Sequence, residues 1–155
     1  MADAPSFDVS LDGPVRLFTV DEANALLPAI EAVLARMDGK LARMKEVREL
    51  LEDDEAYWGP ELQDATNPER ARYVRLVAEL EDVRAALEED AGEVRRLGAE
   101  LKDPHLGLVD FYARINGDIA YICWQRGEPR VGHWHTLEAG FAGRKPLPTG
   151  PRAEP

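Results

Sequence analysis

From Gly132 to Glu138 the chain reads Gly-His-Trp-His-Thr-Leu-Glu. In a strand, side chains two residues apart project from one face, so the imidazoles of His133 and His135 can converge on a single divalent ion. Glu138 would then enter from the following turn as a carboxylate ligand. Two histidines and a carboxylate are also the facial set of non-haem iron sites. Asp110, a carboxylate inside an otherwise apolar run, is the candidate fourth ligand, or a general base whose pKa burial would raise. The expected cofactor is a divalent metal, Zn, Fe or Mn. A plainer reading of the same residues has His133 and His135 hydrogen-bonding Asp110, Glu138 or backbone groups beside Trp134. Asp110 would in that case form an ion pair with Arg114, Arg126 or Arg130.

Cys123 is the only cysteine. With His133 or His135 it could form a thiolate–imidazole pair for nucleophilic catalysis; its alternative role is that of a small buried hydrophobe. Arg126, Arg130 and Arg144, together with the glycine-rich Gly140-Phe-Ala-Gly-Arg-Lys, offer guanidinium forks and backbone N–H groups for a phosphate or carboxylate. A Gly-rich turn whose arginines pair with acidic helices accounts for them as well.

The elements that must position these groups follow from spacing. Thr19 followed by Glu22 is a capping box with Phe18 at the staple position, so a helix starts there. Its apolar seam runs Leu27, Ile30, Leu34, Met37, Leu41, Met44 and Leu51, interrupted by Arg48, and Gly59-Pro60 ends it. Asn67-Pro68 starts a second helix with the seam Tyr73, Leu76, Leu80, Val83, Leu87, Val94, Leu97 and Leu101, interrupted by Asp90. The two seams predict a coiled-coil-like antiparallel helical hairpin over about residues 20–102. Leu106–Ile115 and Asp118–Gln125 then predict a β-hairpin about Asn116-Gly117, in which paired residue numbers sum to 233. A third strand is expected over Arg130–Thr136. The expected fold is therefore α+β, a two-helix hairpin packed on a small C-terminal antiparallel sheet of two to four strands. A single domain over 15–147, with its sheet region at about 105–147, would lie between a disordered tail at 1–14 and a flexible one at 148–155.

The chain has 155 residues and a formal charge of −11, set by 30 acids against 19 bases. Residues 19–102 hold 21 of the acids and 12 of the bases, whereas 103–155 hold six of each. A surplus of negative charge this large repels nucleic acid and anionic membrane surfaces. No apolar run approaches a membrane span, and Met1–Ser10 does not look like a signal peptide, so a cytoplasmic protein is expected. One cysteine excludes an internal disulfide and an all-thiolate zinc site.

Phe18-Thr-Val-Asp-Glu-Ala-Asn-Ala-Leu-Leu-Pro28, Leu108-Val-Asp-Phe, Cys123-Trp-Gln-Arg-Gly-Glu-Pro, Gly132-His-Trp-His-Thr-Leu-Glu and Gly140-Phe-Ala-Gly-Arg-Lys-Pro-Leu147 follow one another along the chain. Over about residues 17–147 the chain resembles the bacterial domain of unknown function family 2203. The resemblance implies a stand-alone cytoplasmic protein and assigns neither an activity nor a site residue. The residues themselves lead to a non-enzymatic binding or assembly module with a His/Trp-lined ligand or metal site. The alternative is a small metal-dependent enzyme, such as a hydrolase, using His133, His135, Glu138 and Asp110. The seams are too long for so small a sheet to cover, so a homodimer through the helical hairpin is expected, with a protein partner as a further use of the same surface.

Overall fold

The computed structural model describes residues 6–11 and 13–147, and the fold is α+β. Strands β1 (Ser6–Leu11) and β2 (Gly13–Leu17) pair antiparallel. Helix α1 (Val20–Trp58) and a short 3-10 turn (Gly59–Gln63) lead to helix α2 (Arg70–Arg96). The strands β3 (Glu100–Asp103), β4 (Leu108–Ile115), β5 (Asp118–Gln125), β6 (His133–His135) and β7 (Lys145–Pro146) follow. They form one antiparallel sheet in sequential order, five strands where two to four were expected. The parts of the expected tails at 1–5, 12 and 148–155 lie outside the described residues. Ser6–Leu11, also expected as tail, pairs as a strand. No helix among the described residues is long and apolar enough to cross a membrane.

The helix ends are written in local chemistry. Thr19 N–H donates to Glu22 Oε1 at 3.0 Å and Glu22 N–H to Thr19 Oγ1 at 3.1 Å, the reciprocal bonds of a capping box. Gly59 turns the chain out of α1 with φ 53°. Asn67 Oδ1 then accepts the N–H of Glu69 at 2.9 Å ahead of α2. The predicted continuation of α2 to about residue 102 is corrected: Gly98 adopts φ 98°, Ala99 N–H donates to Val94 O and Gly98 N–H to Arg95 O. These are the two bonds of a Schellman ending, sealed by the buried pair Val94 and Ala99. Leu101 therefore belongs to β3 and pairs with Val109, although its spacing continues the helical seam.

The chain divides into two compact units. One is Ala35–Ala91. Within it Met37, Leu41, Met44, Val47, Leu51, Leu76 and Leu87 are buried, and Arg48 is exposed because Val47 takes the seam position. The helices run antiparallel, cross-linked by Lys40 to Asp90 (2.6 Å), Arg43 to Glu79 (2.8 Å) and Arg72 to Asp54 (2.8 Å). Asp90, the break in the second seam, is buried on Lys40.

The other unit holds the described residues up to Leu34 and those from Gly92 on. Asn116 and Gly117 both have positive φ, 51° and 86°, as a type I′ turn requires, and the β4–β5 pairs run from Leu108 with Gln125 to Ile115 with Asp118, the expected register. One face of the sheet is apolar: Val109, Phe111, Ala113, Ala120, Ile122 and Trp124 are buried there, and Phe18 meets Phe111 edge-on at 5.2 Å. Asn24 of α1 ties this side to the loop before β6 by accepting the N–H of Val131 at 2.8 Å.

Candidate functional site

Strand alternation sends the polar residues of β4, β5 and β6 to the face opposite Phe111 and Ile122. Register then sets who meets whom. Asp110 pairs with Cys123 and Cys123 with His133; one step along, Tyr112 pairs with Tyr121 and Tyr121 with His135. Asp110, Cys123 and His135 are 5%, 2% and 3% exposed, a depth that polar side chains tolerate only with partners.

The closest contact is diagonal, with His135 Nε2 3.2 Å from Asp110 Oδ1. His135 Nδ1 lies 2.8 Å from the carbonyl oxygen of Thr136. A carbonyl only accepts, so Nδ1 carries a hydrogen, and the contact between Nε2 and Asp110 holds a second proton on one partner or the other. Burial pushes the Asp110 carboxyl above the usual range, and His135 pulls against it. Burial also raises the Cys123 thiol, opposed by Arg144, whose Nη1 lies 3.8 Å from Sγ. One donor atom from each of Asp110, Cys123 and His135 falls within 4.8 Å of the other two.

Two polar groups flank this cluster. On the β3 side, Glu100 Oε2 receives Lys102 Nζ at 2.7 Å and the Tyr121 hydroxyl at 3.2 Å, and the Tyr121 ring lies 5.3 Å from that of His135, tilted by 48°. On the β7 side, Arg144 forks onto Glu128 with two bonds of 3.0 Å. The Glu128 carboxylate also accepts Gln125 N–H at 2.6 Å. Burial alone would raise the Glu128 carboxyl, but Arg144 and the Gln125 amide outweigh it and hold it below the ordinary range.

Of the expected ligands, Asp110 and His135 come together. His133 shares their face, with its Nδ1 3.5 Å from Glu128 Oε2, while Glu138 is exposed beyond β6 and outside the cluster. Asp110 takes His135 as its partner where Arg114, Arg126 or Arg130 had been the alternatives. The candidate anion-binding arginines face separate partners. Arg126 pairs with Glu31 at 2.9 Å and Arg144 with Glu128, while Arg130 is exposed at a cleft of about 490 Å³ beside Leu27, Pro28 and Trp124. Sequence reasoning left Cys123 out of the metal set, although the Asn116-Gly117 register already placed it opposite Asp110. It also missed the Glu128–Arg144 fork, because no spacing rule links a turn residue to one sixteen positions away.

Comparison with the curated proteins and with solved structures found no match for this chain. A family model described as uncharacterized conserved protein (DUF2203) matches residues 16–147, and the chain belongs to that family.

Proposed function

We propose that the protein is a non-enzymatic binding or assembly module that holds a divalent metal on the buried polar face of its sheet, with Asp110 and His135 as ligands. The carrying observation is the pair itself. His135 Nε2 faces Asp110 Oδ1 at 3.2 Å while Nδ1 is anchored on the Thr136 carbonyl, the orientation in which a backbone acceptor fixes the ring and leaves the other nitrogen for an ion. Two ligands of one tetrahedral ion with bonds of ~2.0–2.1 Å stand about 3.3 Å apart, which is the spacing of this pair.

Closure separates the two functional classes. A catalytic ion needs a position open to substrate, and a structural or regulatory one does not. Asp110 and His135 are 5% and 3% exposed, which favours a binding module over a metal-dependent hydrolase. Of the other members of the expected set, His133 lies on the same face, and Glu138 plays no part in this reading.

The same reading makes the protein a cytoplasmic homodimer associating through the helical hairpin, a surface that would also take a protein partner, with no role for nucleic acid. Its support is the half-buried Tyr73, Val77 and Leu80, the exposed Tyr57 and Val74, and the net charge of −11.

The test is metal content and thermal stability of the untagged chain. Added Zn2+, Fe2+ or Mn2+ should raise the melting temperature, by roughly 2.7 kcal/mol of stabilisation at a hundredfold excess over the dissociation constant, and a chelator should reverse it. His135→Ala should abolish the response. Melting curves identical with and without each ion, together with less than about a tenth of an equivalent of any metal after reconstitution, would overturn the proposal.

A further inference from the structure

The geometry points to Cys123 as a third ligand and therefore to a thiophilic ion of the zinc class; this rests on the metal reading above and goes further by naming the ion's chemistry. Asp110, Cys123 and His135 come one each from β4, β5 and β6, neighbours in the sheet, so the backbone ladder fixes the three donors relative to one another. Their ligand atoms lie within 4.8 Å of one another, and all three residues are buried. A sulfur and a nitrogen on one tetrahedral ion stand roughly 3.5 Å apart with bonds of ~2.3 and ~2.05 Å. Closing onto an ion thus asks for a shift on the order of an ångström or less, within what rotation of one short side chain supplies.

The donor set discriminates among ions. Thiolate and imidazole suit zinc, cobalt(II) and cadmium, whereas manganese, magnesium and calcium prefer oxygen. The facial iron set needs two imidazoles and a carboxylate, and here a sulfur stands where the second imidazole would be. Charge also closes: a thiolate and a carboxylate neutralise a divalent cation, and Arg144, 3.8 Å from Sγ, is already neutralised by Glu128. On binding, the ion replaces the thiol proton and the proton held between Asp110 and His135, and both leave to solvent.

An independent sign of an incomplete coordination shell comes from His133, the residue paired with Cys123 across β5 and β6. Its Nδ1 is buried and makes no hydrogen bond, its charged neighbour Glu128 Oε2 standing off at 3.5 Å. Buried polar atoms are nearly always satisfied, and this one, on the sheet face that carries the three donors, is served only by that distant carboxylate, which leaves it available to an ion-bound water.

Cobalt(II) titrated into the full chain under reducing conditions tests this. The expected result is a near-ultraviolet thiolate-to-cobalt charge-transfer band that saturates at about one equivalent and is erased by Zn2+. Cys123→Ser should remove the band and weaken cobalt binding by more than the roughly 10–100-fold that a group outside the coordination shell commands. X-ray absorption on the zinc-loaded wild type needs no variant to fold and should show one sulfur at ~2.3 Å. Metal bound without the band and without a sulfur neighbour would overturn Cys123 as a ligand while leaving the metal reading standing. No binding of any ion would overturn both.

Discussion

Arg144 is held by one carboxylate with two bonds of 3.0 Å and stacks 4.4 Å above the Phe141 ring, so its side chain, together with the β6–β7 pairing, ties the segment after β6 down over Cys123. Glu128 and Arg144 are 22% and 18% exposed, deep enough for a fork to matter and wet enough to discount its full Coulomb strength. Glu128→Gln leaves the guanidinium half paired and should cost on the order of 1–3 kcal/mol, read as a lower melting temperature in chelated protein. The pH dependence has a definite sign. The Glu128 carboxyl is held below its ordinary value in the folded state, so its contribution is present above the unfolded carboxylate pKa and fades as pH falls through the folded one. The gap between wild type and Glu128→Gln should therefore narrow under acid, below about pH 4. A gap constant from neutral pH downward would show that the fork contributes through packing and not through charge. Asp110 and His135 were legible as chemistry because their types stand out from their surroundings. Cys123 was legible as a candidate nucleophile or a small hydrophobe and not as a ligand, because a lone cysteine in a strand has the signature of any small hydrophobe.

Glycine decides two chain reversals for different reasons. Gly117 has φ 86° and open space around it, so a side chain there meets only backbone strain; Gly98 has φ 98° and would place a Cβ 2.9 Å from Phe18 Cζ. Phe18 is fully buried against Phe111 and cannot retreat. Gly117→Ala should cost about 1 kcal/mol from strain, and Gly98→Ala that amount plus roughly 1–3 kcal/mol of overpacking. Gly117→Val should cost at least as much as Gly117→Ala, since β-branching resists positive φ further. Equal melting temperatures for the two alanine variants would overturn the packing part of this argument. What was legible at this scale is what is local: the Thr19–Glu22 box, the Asn67 cap and the Asn116-Gly117 turn each complete their bonds within a few residues. The end of α2 was not legible, because Leu97 and Leu101 keep helical spacing across the single glycine that stops it. β7 was not legible either, since Lys145 and Pro146 gain strand character only by pairing with Trp134 and His133.

Charge and apolar surface oppose one another in any association of two copies. The unit Ala35–Ala91 carries 16 acids against nine bases, and its lateral ion pairs satisfy only part of that surplus. Its two helices bury their seams largely against each other, with Tyr73, Val77 and Leu80 packed half-buried on Val47, Leu51 and Leu76, while Val74 and Tyr57 are exposed. A dimer through these helices joins two surfaces of like sign, and that repulsion is screened as the Debye length falls from about 10 Å at 0.1 M salt to 3 Å at 1 M. Association should therefore tighten with added sodium chloride, the reverse of what complementary charges would give. Sedimentation equilibrium across that range should show the monomer–dimer constant improving with salt. Val74→Asp should weaken it, because Val74 is 52% exposed on this unit and a carboxylate there adds both desolvation and repulsion. A 17.3 kDa monomer at every salt concentration would reject the dimer. A dimer indifferent to Val74→Asp and weakened by salt would place the contact elsewhere, on a surface where opposite charges meet.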